Sequence, residues 1–239
     1  MVLLKVNVAR KTVDATLMLT HVPATKAPEY KISDGVNLIP INKLCDIKTA
    51  WKRYVVIGAG KTGIDALLHL MDRNVDVKKI VWIVSNDCWY FNRDLFIKLK
   101  DLLKVFPSLI DTQIAAKDVN EVYRGLEEVG YFLRITKDIW PTKMRAATVS
   151  TKEMEKLRRI PNIIRLGRID RIENDAIVFK QGDTIPTDSD TLHIDCSAAG
   201  TNFPPVKEKI FDGNHINLLM VQLPQPCTSG AMIAAMELK

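Results

Sequence analysis

The chain has no paired cysteines, no long apolar run and no block of charge of one sign, and each absence removes a class of function. Its four cysteines, Cys45, Cys88, Cys196 and Cys227, stand far apart with no C-x-x-C pair. That excludes a zinc ribbon and a dithiol redox centre, and the free thiols fit a reducing compartment. Cys196, at the end of an apolar run, reads as inert core. The four histidines, His21, His69, His193 and His215, fall at no ligand spacing, so no metal centre is expected. His69 lies off the apolar stripe of its segment and reads as solvent-facing, whereas His193 alternates with Ile194 in a strand. Apolar runs are strand-sized and Lys5 interrupts the only apolar start; no signal peptide or membrane span is expected, and the location expected is cytoplasmic. The formal charge of +6 over 239 residues comes from Lys and Arg scattered among Asp and Glu, which argues against nucleic-acid binding. No Tyr is followed four residues on by Lys, so the catalytic pair of a short-chain reductase is missing.

One stretch is present with a chemical meaning. Residues 54–63, YVVIGAGKTG, join a short β-branched run to three glycines spaced G-x-G-x-x-G. Such a turn opens a dinucleotide-binding βαβ unit. Gly58 permits the tight turn, Gly60 lets backbone approach a pyrophosphate, and Gly63 lets the helix pack close to its strand. Val55, Val56 and Ile57 read as a buried parallel strand, and Ile64, Leu67, Leu68 and Met71 as a helical stripe. A second strand, Ile80–Val84, follows at crossover distance. A P-loop reading of Gly60-Lys61-Thr62 fails, because Val55 occupies the place of the required first glycine. Ala59 and Lys61 would offer backbone N–H groups to the phosphates. Thr62 and Ser85 could donate hydroxyl hydrogen bonds, although a helix cap and a strand-end turn explain them nearly as well. At the end of the second strand stand Ser85 and Asn86, with Asp87 too late to hold a ribose 2′-hydroxyl. Lys61, Arg73 and Arg93 are the cations considered for a 2′-phosphate, and the expected cofactor is NADP in preference to NAD.

Around this unit the pattern is mixed. Residues 1–50 read as two short strands, Lys5–Val8 and Thr12–Leu19, broken by Pro23, Pro28 and Pro40. A helix with Leu95, Phe96, Leu99, Leu102, Leu103 and Phe106 on one face is expected to end at Pro107. A second is expected to start at Asp111 and close at Gly130. Trp89-Tyr90-Phe91 reads as core or as an adenine-side wall, and Trp140–Arg145 as a loop. Ser150 and Glu153 form a capping box. Short strands follow at Ile163–Leu166, Arg168–Ile172, Ala176–Phe179 and Leu192–Asp195, and the apolar segment Ala231–Met236 begins a terminal helix behind Thr228 or Ser229. The layout is α/β.

The order of these parts resembles the FAD/NAD(P)-dependent pyridine nucleotide-disulfide oxidoreductase superfamily, and within it flavin-monooxygenase-like enzymes. The stretches that carry the resemblance are 13–16, 22–25, 55–65, 82–93, 140–150 and 195–200. It implies a Rossmann-type NAD(P)-binding domain, a parallel sheet with helices plus a small β-meander, flanked by partial FAD-domain segments. The implied division is 1–48 for FAD-domain strands and linker, 49–205 for the NAD(P) domain with a helical insert at 92–160, and 206–239 for a return segment. Ala199 and Gly200 join the candidate cofactor-binding residues. The implied activity is hydride transfer from nicotinamide to flavin. FAD needs a pyrophosphate cradle of its own, yet no second G-x-G-x-x-G occurs. The expected partners are therefore nicotinamide dinucleotide and a missing FAD domain or partner subunit. Self-association would be another way to cover exposed apolar surface, and an inactive nucleotide-binding module is the alternative function.

Overall fold

The computed structural model describes residues 5–16, 22–198, 208–221 and 226–238. They fall into two compact units, one built from residues 1–21 and 199–239 and the other from 22–198.

The first unit joins the two ends of the chain. Strand β1 (Thr12–Asp14) is its N-terminal contribution; Ala15 and Thr16 no longer belong to the strand, the rest of the expected run to Leu19 lies outside the described residues, and Lys5–Val8 forms no strand.

In the second unit, β2 (Lys31–Ile32) and β3 (Leu38–Pro40) precede β4 (Arg53–Ile57), the strand that feeds the glycine turn. Helix α1 (Lys61–Asp72) leads to β5 (Ile80–Ile83). Next come β6 (Cys88–Asn92), the short α2 (Asp94–Ile97), α3 (Leu99–Ala115) and α4 (Val119–Glu128). After β7 (Phe132–Leu133) and β8 (Lys143–Val149), α5 (Thr151–Leu157) returns the chain to the sheet at β9 (Asn162–Ile164). The meander β10 (Ile169–Ile172), β11 (Ala176–Phe179) and β12 (Thr184–Pro186) precedes β13 (Thr191–Asp195). Back in the first unit, β14 (Phe211–Asp212) and β15 (His215–Asn217) form a hairpin. There β15 pairs in parallel with β1, and α6 (Pro226–Glu237) follows, begun earlier than its apolar segment suggested.

The fold is mixed α/β around a parallel five-stranded sheet of order β3-β13-β4-β5-β9. Alternation across β4 explains why that strand is apolar throughout. Tyr54 and Val56 enter a core with Ile64, Leu67, Trp82 and Met154, while Val55 and Ile57 enter another with Ile169, Ile172, Ile177 and Phe179. A strand covered by helices on one face and by a meander on the other has no polar side to show. Helix α1 is buried well beyond its expected stripe, at Ala66 and Leu70 as well, because α5, β8 and the 3-10 turn Ile41–Asp46 pack on it besides the sheet.

Four expectations need correction. Residues 22–48 pack with the second unit instead of the first, since β2 adds to β10 and β3 to β13. Helix α3 runs through Pro107. That residue is exposed, so the bond it cannot donate is lost on the solvent side, while Leu102, Val105 and Leu109 stay packed across the break. Asp111 consequently sits inside α3, and α4 is capped by Asp118, which accepts from the Glu121 N–H at 2.9 Å. Finally, Cys88–Asn92 and Lys143–Val149 are paired strands of a second small sheet, β7-β6-β8, so the second half of the expected loop at 140–145, from Lys143 on, is strand. The capping box at the start of α5 is present in both directions.

Candidate functional site: the glycine turn

In the main sheet β5 and β9 are added to one side of β4, and β13 and β3 to the other. The order therefore reverses between β4 and β13, and in open α/β sheets a crevice forms beyond the carboxyl ends of strands at such a reversal. Gly58 follows β4 there, and Cys196 follows β13.

The three glycines have different reasons to be glycine. Gly58 has φ +124°, and a Cβ on it would stand 2.7 Å from the Cys196 carbonyl oxygen. A Cβ on Gly63 would stand 2.2 Å from the Gly58 carbonyl oxygen. Both are demanded by packing. Gly60 is not: it has φ −81° and ψ −178°, ordinary extended backbone, and a Cβ there would meet nothing within 4 Å. Gly60 is also the N-cap of α1, and no side chain caps that end. The first-turn amides of the helix lack intrahelical acceptors, and the dipole there favours an anion.

Two aromatic side chains fix the orientation of this turn. The indole Nε1–H of Trp82 donates to the Gly58 carbonyl at 2.9 Å, and the Tyr90 hydroxyl to the Ala59 carbonyl at 2.8 Å. Both rings are fully buried. The Gly58 N–H is held by the Ile83 carbonyl at 3.0 Å. With both carbonyls drawn inward, the peptides that follow turn their N–H edges away from the core. Sequence reading placed Trp82 in a strand and Tyr90 in the core or an adenine-side wall, and missed their role at the turn because their partners are backbone atoms 24 and 31 residues away.

The other candidates are placed as follows. Lys61 is ion-paired with Asp65 one turn along α1, and Thr62 lies half-buried in the first turn. Ser85 is half-buried just past β5. Arg73 is the C-cap of α1, about 18 Å of helix from the turn, and drops out as a phosphate ligand. Arg93 is ion-paired with Glu153 at the start of α5. Trp140 stacks edge-on against Trp89 with ring centres 5.1 Å apart, and Trp89, Tyr123 and Phe132 complete an aromatic core under α3 and α4; the cluster at 89–91 is core, not a wall of the crevice. Ala199 and Gly200, and the side chain of Arg145, lie outside what the structure describes.

Asp87 is gripped by Arg165, whose Nε lies 2.8 Å from Oδ2 and whose NH2 lies 3.2 Å from Oδ1. This carboxylate is occupied. At the end of β13, Asp195 is 1% exposed and its Oδ1 accepts from the Tyr30 hydroxyl at 3.0 Å and from the Ser197 hydroxyl at 2.6 Å. Burial and the Asp195 charge push the Tyr30 phenol well above its ordinary range, so it acts as a fixed donor. Asp195 also borders an open cleft of about 330 Å³ lined by Pro23–Pro28, Leu38 and Pro40. Burial likewise pushes the Cys196 thiol far up, which keeps it protonated and unreactive.

His193 is buried and sits in the sheet, its Nδ1 3.0 Å from the Asn37 carbonyl and its Nε2 2.9 Å from the Thr187 hydroxyl. The carbonyl requires the proton on Nδ1, and burial lowers the pKa, so the ring is neutral. His69 is half-buried, with its Nε2 covered and unpartnered, instead of facing solvent. Among the described residues no cluster of metal-ligating side chains occurs, and no helix is long and apolar enough to cross a membrane.

Comparison with known proteins adds relatives without an assigned activity. The chain is 36% identical over 236 residues to uncharacterized proteins of Mycobacterium bovis and Mycobacterium tuberculosis. The match covers 97% of this chain and 43% of each relative, so the chain spans less than half their length. No family model matches. Among solved structures, L-lysine 6-monooxygenase from Pseudomonas syringae aligns with 71% of this chain and 41% of its own, at 12% identity and a TM-score of 0.32, a likeness too remote to carry an argument.

Proposed function

We propose that residues 22–198 form a Rossmann-type domain that binds NADP at the glycine turn, as the nicotinamide-binding part of an FAD-dependent oxidoreductase. One observation carries the reading. Of three glycines, the two that packing demands shape the turn, and the one that packing does not demand leaves open space at an uncapped helix end. A pyrophosphate fits that cradle: its oxygens would accept from the Lys61 and Thr62 amides, and Ala59 and Gly60 would supply the close backbone. Gly58 and Gly63 shape the turn, and Trp82 and Tyr90 hold its carbonyls back. Ser85 would stand at the 2′ position, where the carboxylate nearest in sequence, Asp87, is already neutralised by Arg165; this supports NADP over NAD. When bound, the nicotinamide supplies a hydride.

The residues present do not fit FAD in the same way, because no second glycine turn exists, and no flavin step is drawn through this chain. In this reading the first unit, where β1 pairs with β15 from the other end of the chain, represents FAD-domain strands into which the nicotinamide domain is inserted. The flavin would come from a further domain or subunit, consistent with the unmatched 57% of each relative. The missing second turn also supports the alternative of a nucleotide-binding module without catalysis.

Calorimetric titration with NADPH and with NADH tests the cofactor, and the visible spectrum of the purified chain separates the two readings. Saturable NADPH binding, tighter than NADH and weakened by Gly60→Val, is expected. No binding of either nucleotide overturns the proposal. A flavin absorbance band with NADPH oxidation supports the oxidoreductase, and colourless protein that binds NADPH supports the module.

A further inference from the structure

Helix α3 is buried on one face and conspicuously bare beside it. Leu109 is buried, and Leu102 and Val105 pack with it against the aromatic core. Leu103, Phe106, Ile110 and Ile114 are 57%, 51%, 42% and 78% exposed. Their spacing of three and four residues makes one stripe along the helix, about 16 Å long. Phe96 and Val119, which precede and follow α3 in the chain, are also exposed, at 43% and 69%. Isolated exposed apolar side chains need no explanation, but a continuous stripe marks an interaction surface.

The pattern of this stripe specifies what covers it. Turned end for end about residue 108, it maps onto itself to within a residue: Leu103 meets Ile114 of a second copy, and Phe106 meets Ile110. The same rotation brings Lys104 opposite Asp111 of the second copy, twice per dimer. Both residues are exposed, and the Lys104 ammonium has only a 3.4 Å contact with Asp101 on its own helix. A parallel arrangement would put Lys104 of one copy and Asp111 of the other on opposite flanks of the stripe, where they cannot pair, and would align the two helix dipoles, so the charges select the antiparallel one. We infer that α3 is a homodimer face, on which the stripe packs against the α3 stripe of a second copy of this chain, antiparallel about a twofold axis near residue 108. Such an interface is isologous and self-limiting. The helix pair falls at the small end of specific interfaces, and the expected affinity is micromolar.

Sedimentation equilibrium of the full chain, from micromolar to submillimolar concentration, tests this. A monomer–dimer equilibrium is expected. Ile110→Glu should abolish the dimer across that range, with far-UV circular dichroism unchanged because the site is exposed in the monomer. Lys104→Asp should weaken the dimer roughly tenfold by setting two like-charge pairs across it, and Lys104→Asp combined with Asp111→Lys should restore it. A monomer at every concentration, or a dimer indifferent to Ile110→Glu, overturns the proposal. Should Ile110→Glu fail to fold, the charge pair decides: a double variant no tighter than Lys104→Asp alone contradicts the antiparallel register.

Discussion

Replacing Gly60 by alanine adds one methyl group at a point where the protein has nothing to meet it. The backbone there, φ −81° and ψ −178°, accepts alanine without strain, and no heavy atom lies within 4 Å of the new Cβ. Alanine is a poorer N-cap than glycine, at a cost of up to about 1 kcal/mol, but it also restricts the unfolded chain by about 0.4–1 kcal/mol. The two nearly cancel, so the melting temperature should barely move. A diphosphate on the same turn would be pushed away from the amides by that methyl. Losing one charge-assisted N–H···O bond costs about 1.5–3 kcal/mol, roughly a 10- to 100-fold rise in Kd. Gly63→Ala makes the opposite case. Its Cβ would stand 2.2 Å from the Gly58 carbonyl oxygen, so α1 must move off β4. Overpacking of this kind costs about 1–3 kcal/mol, a fall in melting temperature of roughly 3–10 °C for a domain of this size. Thermal denaturation of both variants, with NADPH titration of each, reads the contrast. A Gly60→Ala protein that binds NADPH as tightly as the parent, or one that unfolds like Gly63→Ala, refutes the division of labour among the glycines.

Trp82→Phe keeps an aromatic ring but removes the pyrrole part of a fully buried indole and leaves the Gly58 carbonyl without its donor; a loss of at least about 1–3 kcal/mol in denaturant-measured stability is expected, with weaker NADPH binding, and unchanged affinity would show that the carbonyl anchor does not orient the amides. Ser85→Glu should turn the preference toward NADH by repelling a 2′-phosphate and accepting from a 2′-hydroxyl; identical NADPH-to-NADH ratios in parent and variant would remove Ser85 from the site. Burial raises the Glu153 pKa, but hydrogen bonds from Ser150 and Arg93 outweigh it and hold the carboxyl below its ordinary 4.5. Its contribution is complete above that value and is lost as pH falls through the lower folded-state value, so the stability gap between parent and Glu153→Gln should close in acid; a gap unchanged between neutral and strongly acidic pH sinks this assignment.

What could be read from the sequence was whatever depends on neighbours along the chain. The capping box at Ser150 and Glu153, the strand at Ala176–Phe179 and the apolar run of β4 are local patterns, and the structure contains them. The continuation of α3 through Pro107 was not legible, because proline is a stop signal locally and only the aromatic core beneath Leu102, Val105 and Leu109 overrides it. Strands β6 and β8 were missed for a similar reason: neither shows a clear alternating pattern, and they exist by pairing with each other across some fifty residues. The glycine spacing and a separate role for each glycine were visible, but not that packing demands Gly58 and Gly63 and leaves Gly60 free. That depended on the Cys196 carbonyl crowding Gly58 and the Gly58 carbonyl crowding Gly63, distances that no spacing rule contains. Likewise Asp87 sat close to the expected position of a ribose-binding acid, and only the structure places it in the grip of Arg165.

The measurement closest to the central claim is an amide-resolved NMR titration of the labelled chain with NADPH. The largest shifts should fall at the backbone N–H groups of Lys61 and Thr62, with downfield movement as they take up phosphate oxygens. Shifts clustered elsewhere on the protein, with these two amides unmoved at saturation, would contradict the phosphate cradle.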